Sequence, residues 1–106
     1  MKPHWYAILL VLADKDQHGS GIAREVNAVT AGEITLWPVT LYGTLTELEE
    51  QGWIESLDRA HPVGESGRKR FFRITRPGRR ALEAETRRLA ALVRLAEQRA
   101  RPKAAT

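Results

Sequence analysis

The chain has 106 residues, 42% of them hydrophobic and 28% charged, no cysteine, and a formal net charge of +4. That length fits one domain with a terminal appendage and a modest core, for which oligomerisation is a natural source of extra stability. The lack of cysteine excludes disulfides, thiolate metal sites and a cysteine nucleophile, and the small basic excess favours an anionic partner.

The apolar run Trp5-Tyr6-Ala7-Ile8-Leu9-Leu10-Val11-Leu12-Ala13 comes first. Its length and lack of strict alternation suit a buried helix, with a strand the alternative on periodicity. It is too short to cross a bilayer. Asp14-Lys15-Asp16 closes it with no small-residue cleavage site, which argues against a signal peptide and for a cytoplasmic protein with no membrane partner. Gln17-His18-Gly19-Ser20-Gly21 then punctuates the chain, and Ser20 is placed to cap a second helix. In that helix Ile22, Val26 and Val29 share one face, and Ala31-Gly32 ends it. Glu33 to Trp37 is a connection with large apolar residues that part-packs against the body.

Pro38 suits the start of a third helix, in which Leu41, Leu45 and Leu48 form the buried stripe and Gly52 provides a left-handed stop. Trp53 to Asp58 and Arg70 to Thr75 read as two strands around the polar loop Arg59 to Gly67, a hairpin. On the second strand Phe72 and Ile74 point one way, Phe71 and Arg73 the other. Thr75 can cap a final helix with Pro77 in its first turn. From Arg76 to Arg101 that helix would be roughly 39 Å long. Pro102 ends it, and Lys103-Ala104-Ala105-Thr106 reads as a frayed tail.

Three helices, a hairpin and a long helix give a mainly α protein with a small β-hairpin. This is the order of a winged helix-turn-helix, in which the third helix reads DNA and the hairpin is the wing. The expected division is residues 1–75 as the DNA-binding domain, 76–101 as a C-terminal dimerisation helix and 102–106 as a flexible tail.

Three motifs then resemble one family. Leu41-Tyr42-Gly43-Thr44-Leu45 followed by Leu48-Glu49-Glu50-Gln51-Gly52-Trp53-Ile54 is similar to a signature of PadR-type transcriptional regulators. Arg70-Phe71-Phe72-Arg73-Ile74-Thr75-Arg76-Pro77-Gly78-Arg79-Arg80-Ala81-Leu82 resembles a second element of that family, and His18-Gly19-Ser20-Gly21-Ile22 a third, with Ser20 where an aromatic is usual. The resemblance spans roughly residues 5 to 82. It implies a dimeric winged-helix repressor whose last helix dimerises, and for many relatives a small aromatic effector. The last helix here is short and carries no aromatic residue. The flat-drug site that some small relatives build between aromatics of that helix is therefore not matched.

The residues themselves give the expected DNA contacts. Thr40, Gly43 and Thr44 lie on or beside the outward side of the third helix, where threonines can donate to phosphates or touch thymine methyls. Gly43 costs about 1 kcal/mol in a helix; either DNA approaches it closely, or the wing packs there, or the fold simply tolerates it. Tyr42 either reaches a phosphate with its hydroxyl or serves the core. Residues 68–80 hold seven basic residues and no acidic one. Arg68, Lys69 and Arg70, where the wing turns back, are the expected phosphate clamps. Glu47, Glu49 and Glu50 read as a solvated face at the far end of the reading helix.

On the last helix Leu82, Leu89, Leu92, Val93, Ala96 and Ala100 form a stripe interrupted by Glu85. Leu92, Val93 and Ala96 lie too far out for the body to cover, which calls for a second copy, with Leu89 and Trp5 at the same interface. Trp5, Trp37 and Trp53 are core by default, or line an aromatic effector pocket. No cofactor or metal is expected: His4, His18 and His61 are scattered, and no nucleophile-and-base spacing marks an enzyme. The rival function is a winged helix that binds protein instead of DNA.

Overall fold

Leu41, Leu45 and Leu48 recur at one face of the third helix, and all three are fully buried. In the computed structural model, which describes residues 1–60 and 68–102 and the side chains of 1–57 and 70–102, they join one core cluster and pack α3 against β2 and α2. The order is α1 (Pro3–Asp14), β1 (Gln17–His18), α2 (Gly19–Val29), α3 (Pro38–Glu50), β2 (Ile54–Ala60), β3 (Arg68–Ile74) and α4 (Arg76–Ala100). The apolar run of α1 is a helix, and it supplies Ala7, Ile8, Leu9, Val11 and Leu12 to the core. Ile22 and Val26 of α2 join them, while Val29 is half exposed.

The sheet has three strands, not the two expected. β3 lies in the middle, antiparallel to β2 on one side and to the two-residue β1 on the other. Gln17 pairs with Phe72 and His18 with Phe71. The alternation on β3 is as expected: Phe72 and Ile74 are buried, Arg73 is exposed. Ile54 pairs with Ile74 and Ser56 with Phe72, which sets one face of β2 and β3 over the helices.

The cap of α2 differs from expectation. Ser20 is already inside the helix, and His18 is the N-cap: its Nδ1 accepts from the Gly21 amide at 3.2 Å and faces the Ser20 hydroxyl at 2.9 Å. Imidazole offers an acceptor as a carboxylate or hydroxyl would, but histidine is not a residue usually read as a cap. At the far end, Ala31 and Gly32 both take positive φ, 52° and 81°, and turn the chain toward α3.

The stop of α3 is a left-handed glycine. Gly52 has φ 75°, its amide donates to the Glu49 carbonyl, and the Trp53 amide reaches the Leu48 carbonyl at 3.1 Å. This pairing of the last amides satisfies the helix-end carbonyls and releases the chain directly into β2. Thr75 then ties α4 to the same place. Its hydroxyl accepts from the Gly78 amide at 3.1 Å and donates to the Gly52 carbonyl at 2.6 Å. Its own amide donates to the Trp53 carbonyl at 3.0 Å. Gly78 packs so closely here that a Cβ would lie 2.0 Å from that carbonyl oxygen.

Farther along α4, Glu85 is the acid that interrupts the apolar stripe, and it is buried. Arg88, one turn on, holds it with two contacts of 2.8 and 2.6 Å, and the α-amino group of Met1 lies at 3.3 Å. The hydrogen bonds from Arg88, with help from the amino group, outweigh burial and lower the Glu85 pKa from 4.5 to about 2. Tyr6 adds a hydroxyl contact to Thr86 at 2.8 Å. Together these polar links seat the first half of α4 against α1. From residue 91 onward the helix is exposed, and the molecule measures 71 × 27 × 22 Å.

Two outcomes follow from these contacts. Gly78→Ala should destabilise the fold by roughly 1–3 kcal/mol in urea unfolding, because the new methyl group meets backbone that cannot step aside. The Glu85 pairing contributes stability above about pH 4.5 that is lost as the pH falls toward the lowered value near 2. Urea midpoints measured across that window should fall less steeply for Glu85→Gln than for the wild-type chain.

Candidate nucleic-acid interface

With the leucines of α3 turned inward, the opposite ridge of the helix is set by its period. Val39, Gly43, Thr46 and Glu50 lie along it, all exposed, with Thr40 and Tyr42 on its flanks. No acid stands in the first turn; Glu47, Glu49 and Glu50 gather at the other end. The helix therefore offers an uncharged half and an acidic half.

The expected contact residues separate once placed on this face. Thr40 is exposed. Gly43 is open, with nothing among the described residues within 4 Å of where a Cβ would stand. Tyr42 is half exposed and lies across the start of α2: a Cβ on Gly19 would be 2.5 Å from its hydroxyl oxygen. Thr44 is a correction. It is only 3% exposed, and its hydroxyl donates to the Thr40 carbonyl at 2.7 Å, so it belongs to the inner side of the helix. One turn on, Thr46 bonds the Tyr42 carbonyl at 3.0 Å yet stays exposed.

In the wing, the side chains of Arg68 and Lys69 fall outside the described part of the structure, as does the loop from 61 to 67. Arg70 is described, and its guanidinium is already engaged. It meets Glu49 of α3 at 3.1 and 3.3 Å, reaches the Ser56 hydroxyl at 3.4 Å, and lies over the Phe72 ring at 5.2 Å. Its first role is a strut between wing and reading helix, and Glu49 is its partner rather than a merely solvated acid. Arg73 on the same strand pairs with Asp16 at 3.1 Å. Among the described residues no cluster of three or more His, Asp or Glu is placed to hold a metal ion.

The three tryptophans differ in their surroundings within the protomer. Trp5 and Trp53 meet edge to face at 5.7 Å between ring centroids, both part-buried against the core. Trp37, the N-cap residue of α3, is 72% exposed and stands apart from them. Trp5 is thus engaged within its own protomer, and Leu10 is the α1 residue that faces outward near α4, missed in the sequence because it sits inside an apolar run. Leu92 and Val93 are exposed as expected, as are Ala96 and the unanticipated Leu95, while Leu89 is half-buried. Leu89 lines a cavity of about 330 Å³ with Tyr6, Leu10, Val29, Ile34 and Arg88.

The helix-turn-helix, the wing behind it and the long last helix now form one arrangement. The profile of the transcriptional regulator PadR-like family matches residues 8–84. This chain belongs to that family.

The PadR-like fold recurs in solved relatives. A PadR family regulator from Clostridium difficile superposes with a TM-score of 0.77 at 23% identity, over 92% of this chain and 97% of that one. A PadR-like regulator from Bacillus cereus gives 0.80 at 15% identity, over 93% and 92%. Bacillus subtilis PadR, solved in complex with operator DNA, gives 0.70 at 20% identity, over 80% of this chain and 47% of that one. In sequence, an uncharacterised 37.1 kDa protein in transposon TN4556 of Streptomyces fradiae is 35% identical over 85 residues. The chain covers only 22% of that relative's length. Among the described residues, no helix is long and apolar enough to cross a membrane.

The Arg70–Glu49 strut is partly exposed, so its contribution should be modest. A double-mutant cycle with Arg70→Ala and Glu49→Ala, read by urea unfolding, should return a coupling of about 0.2–1 kcal/mol that shrinks in high salt.

Proposed function

We propose that this PadR-like chain is a sequence-specific DNA-binding regulator. Its DNA-binding unit is residues 1–75, and α4, residues 76–101, is its dimerisation helix. The observation that carries the reading is the outward face of α3: exposed, uncharged in its first turns, open at Gly43, and carried on a winged-helix head. That half suits entry into the major groove, because the acids that would repel phosphate lie at the other end of the helix. The operator complex of Bacillus subtilis PadR supports the same use of the fold. Thr40 and Thr46 contact base edges, Tyr42 and the first turn of α2 face a phosphate, and Arg68 and Lys69 of the wing add attraction.

A homodimer is supported by apolar surface that the protomer leaves in water. Leu92, Val93 and Leu95 project beyond the body, while Leu10 and Val29 stand open beside the cavity. A two-fold arrangement presents two reading helices to half-sites about one DNA turn apart, so a pseudo-palindromic operator and repression by occupancy are the proposed mode. The cavity also supports release by a small aromatic effector. Its walls are largely apolar, with the Glu85–Arg88 pair at its edge. The effector site proposed on this ground is lined by Tyr6, Leu10, Arg88 and Leu89.

Anisotropy titrations of labelled random duplex should show binding that weakens steeply with salt. Arg68→Ala or Lys69→Ala should flatten the slope of log K against log salt by about one for each phosphate no longer neutralised. Indifference to DNA and salt would favour a winged helix that binds protein. Sedimentation at micromolar concentration should give a dimer, turned to monomer by Leu92→Glu with Val93→Glu; a wild-type monomer would overturn the dimer.

A further inference from the structure

Val39 is 88% exposed, the most exposed of the large hydrophobic side chains among the described residues, and Trp37 follows at 72%. A lone exposed valine needs no explanation. Its position does. Val39 stands in the first turn of α3, on the ridge directly opposite Leu41, Leu45 and Leu48, and Trp37 caps the same turn. The next residue along that ridge is Gly43, where open space replaces a side chain. A surface approaching α3 over Gly43 would come close to the backbone and would meet the Val39 methyl groups first.

The occupant is set by charge and by chemistry. The first turn of α3 holds no acid and carries the positive end of the helix dipole, so it favours an anionic surface. On the base edges of duplex DNA, the apolar group that the major groove displays is the 5-methyl of thymine. We infer that Val39 is the apolar specificity contact of this interface and takes a thymine 5-methyl group in the major groove. The inference rests on the DNA-binding reading and extends it from which face binds to which base is preferred.

The test removes that methyl group and nothing else. Wild-type protein selects a duplex from a random pool, and each thymine of the selected duplex is replaced in turn by deoxyuridine. Anisotropy titrations should show one thymine in each half-site whose replacement weakens wild-type binding about fourfold, the loss of one buried methyl. Val39→Ser should bind the two duplexes equally, and Val39→Thr, which keeps a methyl, should restore part of the difference. Exposure of Val39 predicts an unchanged urea midpoint for both variants. If a duplex is selected but no thymine matters, or if Val39→Ser discriminates as the wild type does, the contact is overturned and DNA binding stands. If no sequence is enriched over the pool, the DNA-binding reading and the inference both fall.

Discussion

The carbonyl of Trp53 is the point on which the other elements depend. The left-handed turn at Gly52 delivers it, the Thr75 amide bonds to it, and Gly78 lets the first turn of α4 lie against it. Three elements therefore meet within one peptide unit: the end of the reading helix, the base of the wing and the start of the long helix. The leucine stripe gives the head its core, but stripes tolerate sliding. A hydrogen-bonded carbonyl with no room for a methyl group does not. It fixes the angle between α3 and α4.

The surface of α3 divides labour with the wing. The reading helix carries no base, and its acids are gathered at its end, where Glu49 is drawn to Arg70. Under the DNA-binding reading, electrostatic attraction comes from the basic β3 and the start of α4, and α3 contributes shape and contact. Such an arrangement lowers affinity for arbitrary sequence, because a helix without lysine or arginine holds phosphates weakly wherever it lands. What it binds, it binds by fit.

Most of the fold was legible from periodicity and punctuation. The leucine spacing of α3, the stop at Gly52, the cap at Thr75 and the alternation of Phe72 and Ile74 each have a local cause, and each stands in the structure as read. What was not legible depends on partners distant in sequence or on how much of each side chain the packing leaves in water. β1 is two residues long, too short to show alternation, and exists because Phe71 and Phe72 pair with it. Thr44 stood on the shoulder of the helical wheel, yet it falls within the buried arc, and its hydroxyl is satisfied by its own helix. Glu85 read as a break in the apolar stripe and proves to be buried in an ion pair with Arg88. Trp37 looked like core because tryptophan usually is; only its place at the cap of α3 put it in water. For the candidate site, the sequence chose some residues of α3 by type rather than by exposure.

His18 belongs to two elements at once. It pairs with Phe71 as part of the sheet, and its ring accepts the first amide bond that closes α2. No linker stands between wing sheet and helix-turn-helix to absorb a twist. One side chain thus ties strand pairing to helix capping, so a substitution at His18 disturbs the sheet edge and the start of α2 together.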